Sequence, residues 1–213
     1  MEKKKIIYLA SGISLIATFV LWTVLICTVD IQPLGPEGSR VGFATLNGYV
    51  HSLTGVNMTL YVITDLLGIV PLGTAFGFAI LGLVQWIKRK RLIKVDRSIL
   101  TLSGFYLVVI AVYILFEVVV INYRPTLIDG RLEASYPSST TMLVTCVMPT
   151  AMIELRTRVK NAPLRRSIML AISVFIAFMV IGRLISVVHW VTDIIGGALF
   201  SIGTVLTYYA IRK

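Results

Sequence analysis

The sequence predicts an all-α, polytopic membrane protein, and three observations carry that expectation. Of its 213 residues 57% are hydrophobic, against about 45–50% in an ordinary soluble domain. Only 14% are charged, and the mean hydropathy is +0.89. The apolar residues also cluster in runs long enough to cross about 30 Å of hydrocarbon at about 1.5 Å per residue. Six runs qualify, at roughly 6–29, 58–87, 98–121, 139–155, 167–188 and 190–211, within a single domain, 1–213.

The first run follows Met1-Glu2-Lys3-Lys4-Lys5. It is too long for the core of a signal peptide and no small-residue cleavage pattern follows, so it reads as an uncleaved first helix. The loop at about 30–57 opens with turn formers and continues into Gly42–Gly55, where Phe43, Leu46, Val50 and Leu53 recur at helical spacing. That pattern predicts a short interfacial helix. The second run carries Asp65, expected to cap a helix or pair with an arginine inside the bundle. The third ends in the polar loop 122–138. The fourth opens with the hydroxyl run Ser138, Ser139, Thr140, Thr141 and contains Pro149, which kinks a helix unless neighbours satisfy the freed carbonyl. Glu154 reads as part of its inner boundary, beside Arg156 and Arg158. The fifth and sixth runs flank the string GRLISVVHWVTD, Gly182 to Asp193. Cys27 and Cys146 fall in separate runs and read as packing residues.

Orientation follows from the basic residues. With the amino terminus in the cytoplasm, 16 of the 20 lysines and arginines fall on the inner side, leaving Arg40, Arg124, Arg131 and Arg183 outside. The positive-inside rule then puts both termini in the cytoplasm and the loops bearing Arg124 and His189 on the outer face. The same distribution accounts for the formal charge of +10. A surplus in short inner loops reflects insertion topology and anionic headgroups, so the expected partners are the bilayer and a lipid, with no nucleic acid.

The chemistry concentrates in Arg183, His189 and Asp193, since ionisable residues within a membrane-embedded stretch are functional by default. On a helix, His189 and Asp193 would lie one turn apart on the same face. The carboxylate could then accept a proton from one imidazole nitrogen and leave the other as a nucleophile or base. No metal-ligand spacing or nucleotide loop is present, so no cofactor or metal is expected.

These residues resemble the integral-membrane lipid phosphatase branch of the type 2 phosphatidic acid phosphatase superfamily. Its three motifs are Lys, six residues, Arg-Pro; Pro-Ser-Gly-His; and Ser-Arg, five residues, His, three residues, Asp. The third matches at Arg183, His189 and Asp193, with Gly182 for Ser. The first keeps Arg124-Pro125 but has Glu117 for Lys, and the second keeps Pro137-Ser138 but continues Ser139-Thr140. The resemblance implies that His189 attacks phosphorus to form a phosphohistidine and that Asp193 orients it. It further implies that Arg124 and Arg183 bind the phosphate oxygens, and that Ser138 and Ser139 add donors at a helix amino terminus.

The departures bear on the substrate. In the family the second-motif His protonates the departing oxygen, and Thr140 cannot. An alkoxide, with a parent pKa on the order of water's ~15.7, needs that proton; a phosphate, with a second pKa of about 6, does not. General acid assistance is worth about 10²–10⁴-fold, so the expected substrate is a polyprenyl diphosphate such as undecaprenyl diphosphate, in a bacterial cytoplasmic membrane. Two side chains stand as replacement acids. His51 is otherwise a structural surface histidine, and Glu117 is otherwise a charge partner holding an arginine. Glu117 also removes a positive charge from the phosphate pocket, which leaves Arg131 or Arg40 to compensate. The rival readings are a weak or inactive member that binds or moves phospholipid headgroups, and a lipid phosphotransferase.

Overall fold

The computed structural model describes residues 2–186 and 188–212. It is helical, and isolated β-bridges are the only extended pairing among those residues. The helices are α1 (Glu2–Thr28), α2 (Ala44–Thr54), α3 (Met58–Leu67), α4 (Ile69–Arg89), α5 (Arg97–Val118), α6 (Ser139–Arg158), α7 (Ala162–Ser186) and α8 (Val191–Ile211). Their starts are written locally. Asn57 accepts the Leu60 N–H at 2.9 Å to begin α3, and Asn161 accepts that of Leu164 at 3.0 Å to begin α7. At the other ends, Lys88 and Arg89 close α4 and Arg156 and Arg158 close α6, where the helix dipole favours positive charge.

Five segments are long and apolar enough to cross a membrane: α1, Met58–Arg89 (α3 and α4 joined at Gly68), α5, α7 and α8. Their outward faces carry large apolar side chains, as expected where the solvent is lipid. The sixth expected span, α6, forms a helix of 20 residues but is not apolar enough to join them. The reason is positional: α6 packs against α4, α5, α7 and α8, and nine of its 20 residues are buried by protein and nine more half-buried. It therefore tolerates polar residues. Pro149 leaves the assigned helix unbroken, with the Thr150 hydroxyl 2.9 Å from the Cys146 carbonyl and 2.9 Å from the Tyr106 hydroxyl.

The long contact between α1 and α8 depends on small residues. A Cβ at Gly12 would sit 2.8 Å from the Gly203 carbonyl oxygen, so only glycine permits this approach. At the cytoplasm-facing end expected from the charges, Glu154 is buried and fully bonded. It accepts from Tyr208 at 2.6 Å, Arg158 at 2.8 Å, Ser98 at 2.9 Å and Arg212 at 3.3 Å. Its arginines are thus Arg158 and Arg212, and the network ties α5, α6 and α8 together. Cys27 and Cys146 are free thiols.

A helix does form within the loop that follows α1. α2 exposes Leu46, Tyr49 and Leu53 and turns Asn47 inward, where its amide donates to the Thr192 hydroxyl at 3.0 Å and the Gly42 carbonyl at 2.8 Å. This pins α2 onto the start of α8, beside the polar residues described next.

Candidate phosphate site

The loop 119–138, the start of α6, the end of α7 and the start of α8 meet at one end of the bundle. The Ser138 N–H donates to the Asp193 carbonyl at 3.1 Å, and the Asn57 N–H to the Ser186 carbonyl at 3.1 Å. Gly197 allows the first of these contacts, since a Cβ there would lie 3.1 Å from the Ser138 carbonyl oxygen.

His189 does not share a helix with Asp193. It lies in the turn between α7 and α8, and Asp193 occupies the first turn of α8, where its carboxylate accepts the Trp190 N–H at 2.9 Å. Helix capping has claimed the carboxylate that the i, i+4 reading assigned to the imidazole. Ser135 stands between them. Its hydroxyl donates to Asp193 Oδ2 at 2.5 Å and lies 3.2 Å from His189 Nδ1, while its carbonyl oxygen is 3.1 Å from the same nitrogen. A carbonyl can only accept, so the bond assigns the proton to Nδ1 and leaves the Nε2 lone pair free. Nε2 is buried without a partner. Asn122 completes the Asp193 shell, donating to Oδ1 at 3.2 Å. Burial above all, then the charges of Arg124 and Arg183, pushes the His189 pKa well below the ordinary histidine value, and only the Ser135 carbonyl opposes this. The imidazole is neutral at pH 7.

The two arginines converge on the ring of Tyr61, with Arg183 Cζ 5.0 Å and Arg124 Cζ 5.8 Å from its centroid. Arg183 is 1% exposed. Its Nη2 donates to Asp65 at 2.8 Å and to the Thr140 hydroxyl at 2.5 Å, while Nε and Nη1 have no partner. The expected Asp65–arginine pair is therefore present. Arg124 Nε approaches Glu133 Oε2 at 3.2 Å without hydrogen-bond alignment, so the contact is an ion pair, and Nε and Nη1 remain free to donate. Two guanidiniums with buried, unused N–H groups beside an unpartnered imidazole nitrogen form a receptor for a tetrahedral oxyanion.

Other expected residues fall differently. Ser138 is committed, its N–H to Asp193 and its hydroxyl to Thr141 at 3.0 Å, so it has no donor left for a ligand. Ser139 lines the open space instead. That space has two parts. A narrow cleft is walled by His189, Ser135, Ser139, Glu117 and Tyr113. A cavity of about 580 Å³ is lined by Asp65, Tyr113, Glu117, Tyr123, Arg124, Glu133 and Ser139, among others. Glu117 holds no arginine: among the described residues it has no ion pair, and Glu133 partners Arg124 in its place. Thr140 serves as acceptor for Arg183. His51 packs on Trp190, with ring centroids 5.8 Å apart, and lines neither space. Arg40 and Arg131 line neither space either.

Ser135, Asn122, Tyr61 and Glu133 gave no signal in the sequence beyond being polar residues in or near the loops between the apolar runs. For Ser135 there is a direct check. Ser135→Ala keeps the carbonyl but deletes the hydroxyl joining Asp193 to the imidazole. Phosphate release is expected to fall by about tenfold, a small loss on the scale of acid–base assistance; wild-type turnover would show that the hydroxyl is not needed.

The sequence model of the PAP2 superfamily matches residues 118–213. No curated protein matches the sequence significantly. Among solved structures, the fold is similar to that described as the "first transmembrane PAP2 type phosphatidylglycerolphosphate phosphatase from Bacillus subtilis", with 94% of each chain covered, a TM-score of 0.53 and 20% identity, a likeness of fold. The matched stretch, residues 118–213, is the part of the chain that supplies Arg124, Thr140, Arg183, His189 and Asp193.

Proposed function

We propose that the protein is a membrane lipid phosphatase working through a phosphohistidine. The observation that carries this is the buried, unpartnered Nε2 of His189 beside the unused N–H groups of Arg124 and Arg183. Nε2 attacks phosphorus, and the guanidiniums hold the equatorial oxygens as the bond to the leaving group lengthens. The imidazole gains positive charge, which the Ser135 carbonyl meets directly and the Asp193 carboxylate meets through the Ser135 hydroxyl. Water then hydrolyses the phosphohistidine. The family and the phosphatidylglycerolphosphate phosphatase-like fold support a lipid phosphate as substrate.

With Thr140 bonded to Arg183, the chain's own residues suit a leaving group that needs no external proton. A polyprenyl diphosphate such as undecaprenyl diphosphate meets that requirement. The test is phosphate release from paired lipid mono- and diphosphates by wild type and Thr140→His. Loss of the Arg183 contact affects both substrates alike, whereas a new proton donor helps only the alkoxide. The monophosphate-to-diphosphate rate ratio is expected to rise by about tenfold or more; an unchanged ratio overturns the leaving-group argument.

The sidedness belongs to the same proposal. α6, at 20 residues, has the length to cross as a sixth span, shielded from lipid by its neighbours. α2 then lies at the outer interface, both termini face the cytoplasm, and the site faces outward. A cysteine at Asp129 is expected to react with an impermeant thiol reagent on intact cells, and one at Asn161 is not. The reverse pattern would place the site inside.

A further inference from the structure

Two like charges must be kept together for the phosphate receptor to exist before a phosphate arrives. Arg183 comes from the end of α7 and Arg124 from the loop after α5, and their guanidiniums repel. Each has a carboxylate, but the two hold unequally. Arg183 donates to Asp65 at 2.8 Å. Glu133 meets Arg124 Nε at 3.2 Å without hydrogen-bond alignment, so it does not fix the direction of that guanidinium, whose Nε and Nη1 have no other partner. What both cations share is the ring of half-buried Tyr61 on α3, its centroid 5.0 Å from Arg183 Cζ and 5.8 Å from Arg124 Cζ. The negative face of an aromatic ring attracts each cation and offsets their repulsion.

A close helix contact puts the ring there. α3 packs on α7, and Tyr61, Thr64 and Asp65 share one face of α3 by their spacing of three and four residues. Thr64 is fully buried and lies over Gly182. A Cβ at Gly182 would sit 2.7 Å from the Thr64 methyl carbon and no closer than 3.7 Å to Leu60. The Thr64 hydroxyl is bonded to the Leu60 and Tyr61 carbonyls at 2.9 and 3.0 Å, so the methyl cannot swing aside without breaking those bonds. A side chain at 182 therefore pushes α3 away from α7. Gly182 stands where the third motif has Ser. That departure lets α3 bring Tyr61 and Asp65 to the adjacent Arg183.

We propose that Tyr61 is a positioning residue for the phosphate site: its ring holds the guanidiniums of Arg124 and Arg183 together as one oxyanion receptor, and the contact of Thr64 with Gly182 sets it in place. The proposal rests on the phosphate-binding part of the reading above and is independent of the leaving group. Tyr61 acts through the arginines. Without the ring, a phosphate must gather the two cations itself, which weakens its binding.

The probe is inorganic phosphate, whose binding to purified full-length protein is measured by calorimetry, independently of turnover. Tyr61→Leu is expected to weaken that binding by about tenfold, within the range of desolvated cation–π contacts. Tyr61→Phe, which keeps the ring face, is expected to recover most of the loss. In an Arg124→Ala background Tyr61→Leu should weaken binding much less, because no pair remains to be held. Gly182→Ser is expected to imitate Tyr61→Leu with the ring intact, and adding Thr64→Ala, which removes the obstructing methyl, should restore affinity. Wild-type affinity in Tyr61→Leu overturns the proposal, as does a Tyr61→Phe protein as weak as Tyr61→Leu. An effect of Tyr61→Leu undiminished by Arg124→Ala also overturns it, since that is the mark of a purely structural role. Should Tyr61→Leu fail to fold, the α7 variants decide: wild-type affinity in Gly182→Ser, or no recovery on adding Thr64→Ala, overturns the proposal. The expected binding pattern in a protein that releases phosphate from no lipid mono- or diphosphate keeps the role of Tyr61 and overturns the phosphatase reading instead.

Discussion

His189→Ala is expected to abolish phosphate release while leaving lipid phosphate binding measurable. Among the described residues, His189 alone joins an unpartnered imidazole nitrogen to two arginines with unused donors. The arginines do not depend on the imidazole for their positions, since Arg183 is held by Asp65 and Thr140 and Arg124 by Glu133. Binding should therefore survive. Protein incubated with a labelled lipid phosphate and quenched in alkaline detergent should carry acid-labile, base-stable phosphate in the wild type and none in the variant. A variant that keeps wild-type release would remove the phosphohistidine mechanism altogether. The pH profile offers a second check. A histidine held well below its ordinary value is neutral, hence nucleophilic, through the mildly acidic range, and its own protonation removes the nucleophile as pH drops through the depressed value. The acidic limb of kcat/KM should accordingly lie well under the usual histidine midpoint of about 6.5. A limb at or above that midpoint would contradict the burial and charge assigned to His189.

Arg183→Ala should be the next most damaging change, with turnover reduced by about 10²–10³-fold, the loss typical of removing one preorganised donor to a developing oxyanion. The side chain spans α7, α3 and α6: it is rooted on α7, pairs with Asp65 on α3 and bonds Thr140 on α6. Truncation leaves Asp65 without its counter-charge as well as removing the proposed phosphate donor. Arg183→Lys should recover little, because an ammonium cannot reproduce the planar fork that serves Asp65, Thr140 and a phosphate oxygen together. A melting temperature measured alongside the rates separates the two effects. Full activity in Arg183→Lys would mean that charge alone suffices, and the geometric role would fall.

The membrane helices were legible because a span is a local property. About 20 consecutive residues must be apolar to cross hydrocarbon, and their backbone polar groups are satisfied within the same segment. α1, α5, α7 and α8 therefore appear near their expected bounds, and even α2 was visible in the spacing of Leu46, Val50 and Leu53. The case of α6 shows the limit of that logic. Its hydroxyls, Pro149 and Glu154 are tolerated because four other helices surround it, and hydropathy counts lipid exposure rather than burial by protein.

The polar site divides in the same way. The identities of Arg124, Arg183, His189 and Asp193 stood out because charge is rare in such a chain, and their spacing carried the family resemblance. Their partnerships did not. The helical spacing of His189 and Asp193 was misleading, since the backbone turns at His189 and the carboxylate caps α8. The imidazole takes its orientation from Ser135, 54 residues earlier, and Arg183 takes its counter-ion from Asp65, 118 residues away. Periodicity and composition report which residues a membrane helix can carry, because those requirements act along the chain. Which hydroxyl lies between His189 and Asp193, and which carboxylates offset the arginines, depends on side chains brought together from separate helices and loops. Those contacts exist only once the bundle has closed.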